Sequence, residues 1–288
     1  MTPAARPDAT LQLPDGRTIA FDDRGDRDGP TVLFFHGTPD SRLARHPDDS
    51  IAHDLGVRVV AADRPGLGAS SPDPGANPTS VARDQVALLD ALDIPAVTVV
   101  AWSAGATPAL AFAGGHTARV ERVVLLAPVV PADAYGDPHV LDGADDSRRL
   151  FADALTDSTP DEVGRELAMW LVPPELDEPT ARAMLATSLD RLTHIAGAES
   201  ALVSALLAAV SQGMLGLERE LAAQATPLGP LLDAVRAPVE IHAGDEDRVA
   251  PVAMARWLAD RLDAQLRIHG AGHEIGLTAW SEAIRPRD

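Results

Sequence analysis

The stretch Val97 to Gly115, VTVVAWSAGATPALAFAGG, decides how the rest of the chain is read. It opens as a short β-branched apolar run, passes through Ala101-Trp102-Ser103-Ala104-Gly105-Ala106, and continues as an Ala-rich helix former. A serine in a sharp turn between a strand and a helix needs small residues two before and two after it, because larger ones would clash across the turn. Ala101 and Gly105 meet that need. Taken alone, the same string also fits a serine capping an ordinary helix.

Outward from this segment, Thr31 to Phe35, Arg58 to Ala62 and Val120 to Leu126 are short runs rich in Val, Leu and Ala, the composition of strands covered on both faces. Between them Ser80 to Leu92 repeats apolar residues at helical spacing, with Ala82, Val86, Leu89 and Leu92 on one face. Strand and helix alternate, which predicts an α/β fold with a mostly parallel, doubly wound sheet. Upstream, Thr10 to Asp22 reads as two strands joined at Asp15-Gly16, a pair suited to a tight hairpin turn. The alternation stops after Ala127-Pro128 and resumes at Pro238, where Val239 to His242 and then Gln265 to Ile268 read as further strands. The intervening residues carry five helix-like stretches: Ser147 to Asp157, Asp161 to Leu171, Glu178 to Leu189, Ala198 to Val210 and Leu217 to Ala225. Breaks such as Val172-Pro173-Pro174 separate them. The expected organisation is a core of residues 1–128 and 237–288 with a helical cap at 129–236. A separate helical domain is the alternative, and the return to strand, helix and strand after Pro238 counts against it.

Composition excludes several chemistries. The 43 acidic side chains outnumber 24 basic ones for a formal charge of −19, a field that repels phosphate backbones and anionic membranes, so no nucleic-acid or membrane partner is expected. Every basic residue is Arg, which removes Schiff-base lysines and the phosphate-binding lysine of Walker-type loops. There is no Cys, hence no thiolate nucleophile, disulfide or cysteine metal site. Met1 to Gly16 has no apolar signal-peptide core, and the longest nearly unbroken apolar stretch, Ala201 to Val210, is too short to span a bilayer. A soluble cytoplasmic protein is the expectation, with oligomeric state left open.

Five segments, each after an expected strand, are similar to motifs of the α/β-hydrolase family. Ala101-Trp102-Ser103-Ala104-Gly105 resembles its nucleophile elbow, with Ala101 in place of the commoner first glycine. His36-Gly37-Thr38-Pro39 matches in kind its H-G-x-P segment, and Asp63-Arg64-Pro65-Gly66-Leu67-Gly68-Ala69-Ser70 its D-x-x-G-x-G-x-S loop. Gly244-Asp245-Glu246-Asp247 to Pro251 fits the family's acid-bearing loop, and Gly270-Ala271-Gly272-His273 places a histidine beyond the last strand. The resemblance implies a triad of Ser103, Asp247 and His273, with backbone N–H donors of Thr38 and Ala104 forming the oxyanion hole. Asp245 is the rival acid, with a turn-closing role as its plain alternative. His36 reads as a structural hydrogen-bonding residue, and His242 and His269 as core or edge residues.

What the resemblance implies is a serine hydrolase that cleaves a small carboxylic ester or lactone through an acyl-enzyme on Ser103. An aminopeptidase or amidase, a cofactor-free C–C hydrolase or lyase, and a non-catalytic ligand-binding relative are the alternatives. Epoxide hydrolases and haloalkane dehalogenases place Asp where Ser103 stands, which disfavours an alkyl-enzyme route. No cofactor and no metal are called for. The partner is a small acyl substrate, and the cap is expected to act as a lid, with Trp102, Trp170, Leu171 and Met184 as candidates for the pocket wall.

Overall fold

Every residue of Thr31–Phe35 is buried, and so is every residue of Val239–Gly244. A strand without an exposed face must lie inside a sheet covered by helices on both sides. A computed structural model describes residues 7–287 and has that architecture. Eight strands, β1 (Ala9–Gln12), β2 (Thr18–Gly25), β3 (Thr31–Phe35), β4 (Arg58–Ala62), β5 (Val97–Trp102), β6 (Val120–Leu126), β7 (Val239–Gly244) and β8 (Gln265–His269), form one sheet in the order β1-β2-β4-β3-β5-β6-β7-β8. β1 and β2 are antiparallel, as are β2 and β4, and all other neighbours are parallel. The hairpin turns where Asp15-Gly16 was expected to turn it, with Gly16 at φ +87°.

Three helices precede the insertion: α1 (Ser50–Asp54), α2 (Pro78–Ala91) and α3 (Ala106–Gly115). α2 begins two residues earlier than the apolar periodicity indicates. Asn77 caps it by accepting from Thr79 and Ser80, and Pro78 sits in the first turn, where its missing N–H costs nothing. The helical insertion follows β6 and comprises α4 (Asp146–Asp157), α5 (Pro160–Leu171), α6 (Glu178–Arg191), α7 (Ala198–Ala209) and α8 (Leu215–Gln224). After the short α9 (Pro230–Asp233) the chain re-enters the sheet, and α10 (Val252–Leu262), α11 (Ile275–Thr278) and α12 (Trp280–Ala283) complete the described helices. Within the insertion, α5 starts at a reciprocal capping box between Thr159 and Glu162 and stops at Val172, ahead of the two prolines.

The core is divided between the two layers. One cluster runs through the sheet and its covering helices and also takes in Leu192, Ala198, Leu202 and Ala205 from the insertion. A second lies within the insertion and is built on Phe151, Val163, Leu167, Val203, Leu206, Leu217 and Leu221. α7 contributes to both, Ala205 to the first and Leu206 to the second, so the cap is welded to the sheet domain by apolar packing. Glycines make the other junction. A Cβ on Gly216 at the start of α8 would fall 2.2 Å from the carbonyl oxygen of Gly66, so the helix rests directly on the loop after β4.

In chain order β4 lies to one side of β3 and β5 to the other, so the connections diverge beside the carboxyl ends of β3 and β5. Open parallel sheets bind ligands at that kind of divergence. The segments singled out from the sequence follow the carboxyl ends of β3, β4, β5, β7 and β8, all at this edge of the sheet.

Candidate active site

Ser103 follows directly on β5 and has φ +56°, a conformation that costs a β-substituted residue on the order of 1–3 kcal/mol and persists only when its surroundings enforce it. Gly105 is part of that enforcement. A Cβ there would fall 2.4 Å from the carbonyl oxygen of Phe35 and 2.5 Å from that of His36, so the turn packs backbone to backbone against the end of β3. The serine is 5 % exposed.

His273 lies in the loop between β8 and α11, with Nε2 3.0 Å from Ser103 Oγ and Nδ1 2.7 Å from Asp247 Oδ2. With Nδ1 protonated, the imidazole donates to the carboxylate and presents a free lone pair to the serine hydroxyl. Asp247 also accepts the backbone N–H groups of Val249 and Ala250 on Oδ1, at 2.8 and 2.9 Å. One oxygen therefore fixes the carboxylate to its loop and the other faces the histidine. Asp245, given a turn-closing role as the rival acid, is exposed, and the amide-bonding role belongs to Asp247 instead.

Trp102, a candidate for the pocket wall, lies under the histidine loop. Its indole N–H donates to the carbonyl oxygen of His273 at 3.1 Å, and the two rings sit 5.9 Å apart. A Cβ on Gly276 would be 2.2 Å from the indole, so the residues after His273 are moulded to this ring. Trp170 and Leu171 border a crevice of about 20 Å³ inside the cap with Phe151, Leu167 and Leu221, and Met184 lies exposed on α6. A cavity of about 1000 Å³ lies between residues 137–143 and α10 and borders Asp247, but neither Ser103 nor His273 lines it.

The loop after β3 brings Gly37 against the nucleophile: a Cβ there would be 3.3 Å from Ser103 Cβ. Among the described residues none accepts from the N–H of Thr38, the expected oxyanion donor. Its side chain, by contrast, is heavily engaged. Thr38 Oγ1 donates to Glu220 Oε1 and accepts from Gln224 Nε2, both at 3.0 Å. Arg64 completes the net, donating to Glu220 Oε2 at 2.7 Å and to the carbonyl oxygens of His36 and Gly37 at 2.7 and 2.9 Å. Two residues of α8 in the cap thus hold the expected oxyanion loop through a buried polar network. Sequence reading assigned no role to Glu220 or Gln224, and Arg64 passed as part of a structural loop. The burial of Arg64, which demands a partner, shows only in the fold, and that partner lies 156 positions away.

His36 is fully buried, with Nδ1 2.9 Å from the carbonyl oxygen of Gly37. Burial, reinforced by the Arg64 charge, lowers its pKa well below the ordinary range, so it is a neutral structural residue. His242 and His269 stack beside the sheet edge, ring centroids 5.1 Å apart. Among the described residues one group of three, Glu240, His242 and Glu282, brings metal-ligand atoms within 4.8 Å of one another. Glu240 is already ion-paired to Arg267 and Arg287, and Glu282 to Arg267, so any cation there competes with guanidinium groups. No helix among the described residues is long and apolar enough to cross a membrane.

Comparison with known proteins agrees with this architecture. A sequence model of the alpha/beta hydrolase fold matches residues 30–279. A non-heme chloroperoxidase of Streptomyces lividans is 35 % identical over 132 residues, which are 44 % of this chain and 47 % of that protein. The chain thus spans less than half the length of that curated relative. Among solved structures, the enol-lactonase of Burkholderia xenovorans LB400 superposes with a TM-score of 0.66 at 18 % identity, covering 96 % of this chain and 98 % of that one. An esterase of Exiguobacterium antarcticum gives 0.65 at 20 % identity, covering 95 % of each. Strand order, helical insertion and a family match across most of the chain lead to one conclusion: this protein belongs to the alpha/beta hydrolase fold family.

Proposed function

We propose that the protein hydrolyses small carboxylic esters, lactones included, through an acyl-enzyme on Ser103. The observation that carries this reading is the unbroken relay from Asp247 Oδ2 to His273 Nδ1 and from His273 Nε2 to Ser103 Oγ, at 2.7 and 3.0 Å. Ser103 Oγ attacks the acyl carbon as its proton passes to His273 Nε2, and Asp247 stabilises the imidazolium that forms. The carbonyl oxygen becomes an alkoxide, received by the backbone N–H groups of Thr38 and Ala104. Such donors contribute on the order of 3–4 kcal/mol each to transition-state stabilisation in well-studied hydrolases. His273 then gives its proton to the leaving alkoxide. A water molecule, deprotonated by the same imidazole, attacks the acyl-enzyme, and collapse of the second tetrahedral intermediate returns the acid and free Ser103.

The likeness to an esterase and an enol-lactonase supports an ester or lactone as substrate. The cap supports a small one, since α8 closes on the loop that would bind the acyl oxygen. The test is labelling with a fluorophosphonate, followed by a panel of esters of increasing acyl length. We expect Ser103 to be labelled, and the Ser103→Ala protein to keep its circular dichroism while losing both labelling and hydrolysis. Hydrolysis by Ser103→Ala well above the uncatalysed rate overturns the assignment of the nucleophile.

A further inference from the structure

Asp40 lies in the loop after β3, three residues beyond Gly37, and its carboxyl is on the same face of Gly37 as the nucleophile. A single point, where a Cβ on Gly37 would sit, is 2.8 Å from Asp40 Oδ2 and 3.3 Å from Ser103 Cβ. Among the described residues none donates a hydrogen bond to this carboxyl or pairs with it, whereas the buried acids Asp22, Asp63 and Glu220 are each met by an arginine. The charged groups that bear on it are Arg64, from the loop after β4, and His273, from the loop after β8. Neither is available as a partner. Arg64 is spent on Glu220 and on the carbonyl oxygens of His36 and Gly37. His273 faces Asp247 and Ser103.

We propose that Asp40 is a specificity residue that selects esters carrying a positively charged nitrogen, a protonated amine or a quaternary ammonium, beside the scissile carbonyl. A half-buried carboxyl that only water serves in the free protein gains a charge-assisted contact when a ligand brings a cation. Among the described residues Arg64, the guanidinium nearest the oxyanion loop, is already engaged, whereas the carboxyl of Asp40 is open to a cationic ligand. The net charge of −19 draws cationic ligands toward the surface. Burial pushes the Asp40 pKa up to about 7 against the lowering effect of Arg64 and then of His273. The cation-binding, ionised form therefore gains population as pH rises through neutrality. This inference rests on the proposed ester hydrolysis at Ser103.

The test compares isosteric pairs. Butyrylcholine is set against the neutral ester in which tert-butyl replaces trimethylammonium. The phenyl ester of trimethylammonio-butyric acid is set against its own tert-butyl isostere, which moves the charge to the acyl side. At pH 8 we expect kcat/KM to favour the cationic member of at least one pair by about tenfold, the effect of one well-formed charge contact. The preference should shrink as pH falls through about 7. In Asp40→Asn, or in Asp40→Ser if the first variant does not fold, the ratio at pH 8 should drop to about one. Comparing each isosteric ratio between wild type and variant separates the contribution of Asp40 from any general effect of pH on turnover. Calorimetric binding of both members of each pair to Ser103→Ala protein gives the same ratio without turnover. A ratio of one or less in both pairs, or a preference unchanged by the Asp40 substitutions, overturns the inference. If the neutral esters are hydrolysed at Ser103 in that case, the esterase reading stands without it. If Ser103 takes no label and no ester is cleaved, that reading falls, and the binding ratio alone decides whether Asp40 recognises cations.

Discussion

Two aspartates separated by one residue have opposite environments, and that contrast makes the assignment of the acid testable. Asp247 is 4 % exposed, with one oxygen on two backbone amides and the other on His273. In Asp247→Asn the carbonyl oxygen can keep the amides, which leaves the NH2 facing Nδ1 and forces the imidazole into the tautomer whose Nε2 carries the proton. The serine then has no base, a change that costs roughly 10⁴ in kcat in a serine protease. We expect a loss of several orders of magnitude in turnover by Asp247→Asn, with the unfolding midpoint little changed. Asp245 is exposed and its substitution by Asn should leave most of the activity. Steady-state assays of both purified variants on the best ester decide the matter. A dead Asp245→Asn beside an active Asp247→Asn moves the acid by two residues.

At the scale of elements, the network between α8 and the loop after β3 predicts that part of the cap's role is to hold the oxyanion loop. Glu220→Ala leaves Arg64 buried without its carboxylate and Thr38 Oγ1 without its acceptor. Breaking one side of a buried pair costs about 3–5 kcal/mol, most of it from the charge left behind. We expect urea denaturation to show a loss of that order. We expect kcat to fall more than KM rises, because a displaced Thr38 N–H weakens the transition state before it weakens binding. A change in stability below about 0.5 kcal/mol, the size typical of a surface substitution, would show that the network contributes nothing. The strands and cap helices themselves were legible in the sequence, because apolar runs and helical periodicity are local signals. β3, β4 and β6 fall on the predicted residues, and β7 extends two residues beyond its apolar run. The order β4-β3-β5 was not legible, since it depends on which strands meet after the chain has crossed over. Nor was the tie between Arg64 and Glu220. Ser103, Asp247 and His273 were singled out by motifs that follow strands, whereas Glu220 lies on a cap helix that no motif marks. Trp170 and Met184, two candidates for the pocket wall, are exposed on α5 and α6, and apolar character alone does not say which way a helix face turns.

For the whole molecule, the imbalance of 43 acidic against 24 basic residues sets two electrostatic regimes. Inside, charges are matched: Arg42 is fully buried with Asp22 and Asp63, and Arg64 with Glu220. Salt hardly reaches such pairs, since screening acts through water. Outside, the excess of carboxylates repels itself in the folded state more than in the expanded chain, and at about 0.15 M ionic strength that repulsion is screened beyond roughly 8 Å. The two regimes make opposite demands on a salt titration. If surface repulsion is the larger contribution, adding sodium chloride from low ionic strength at pH 8 should raise Tm, steeply at first and then with diminishing returns. If exposed ion pairs such as Arg119 with Asp90 and Arg182 with Glu178 dominate, Tm should fall over the same range. Exposed pairs are worth about 0–1 kcal/mol each, whereas 19 uncompensated charges act together. We therefore expect the rise, measured by calorimetry or by circular dichroism. A flat or falling Tm would show that the surface arginines are placed well enough to cancel the net charge locally. The same titration should also weaken any preference for cationic esters, because added salt screens the long-range field and leaves only the contact with Asp40.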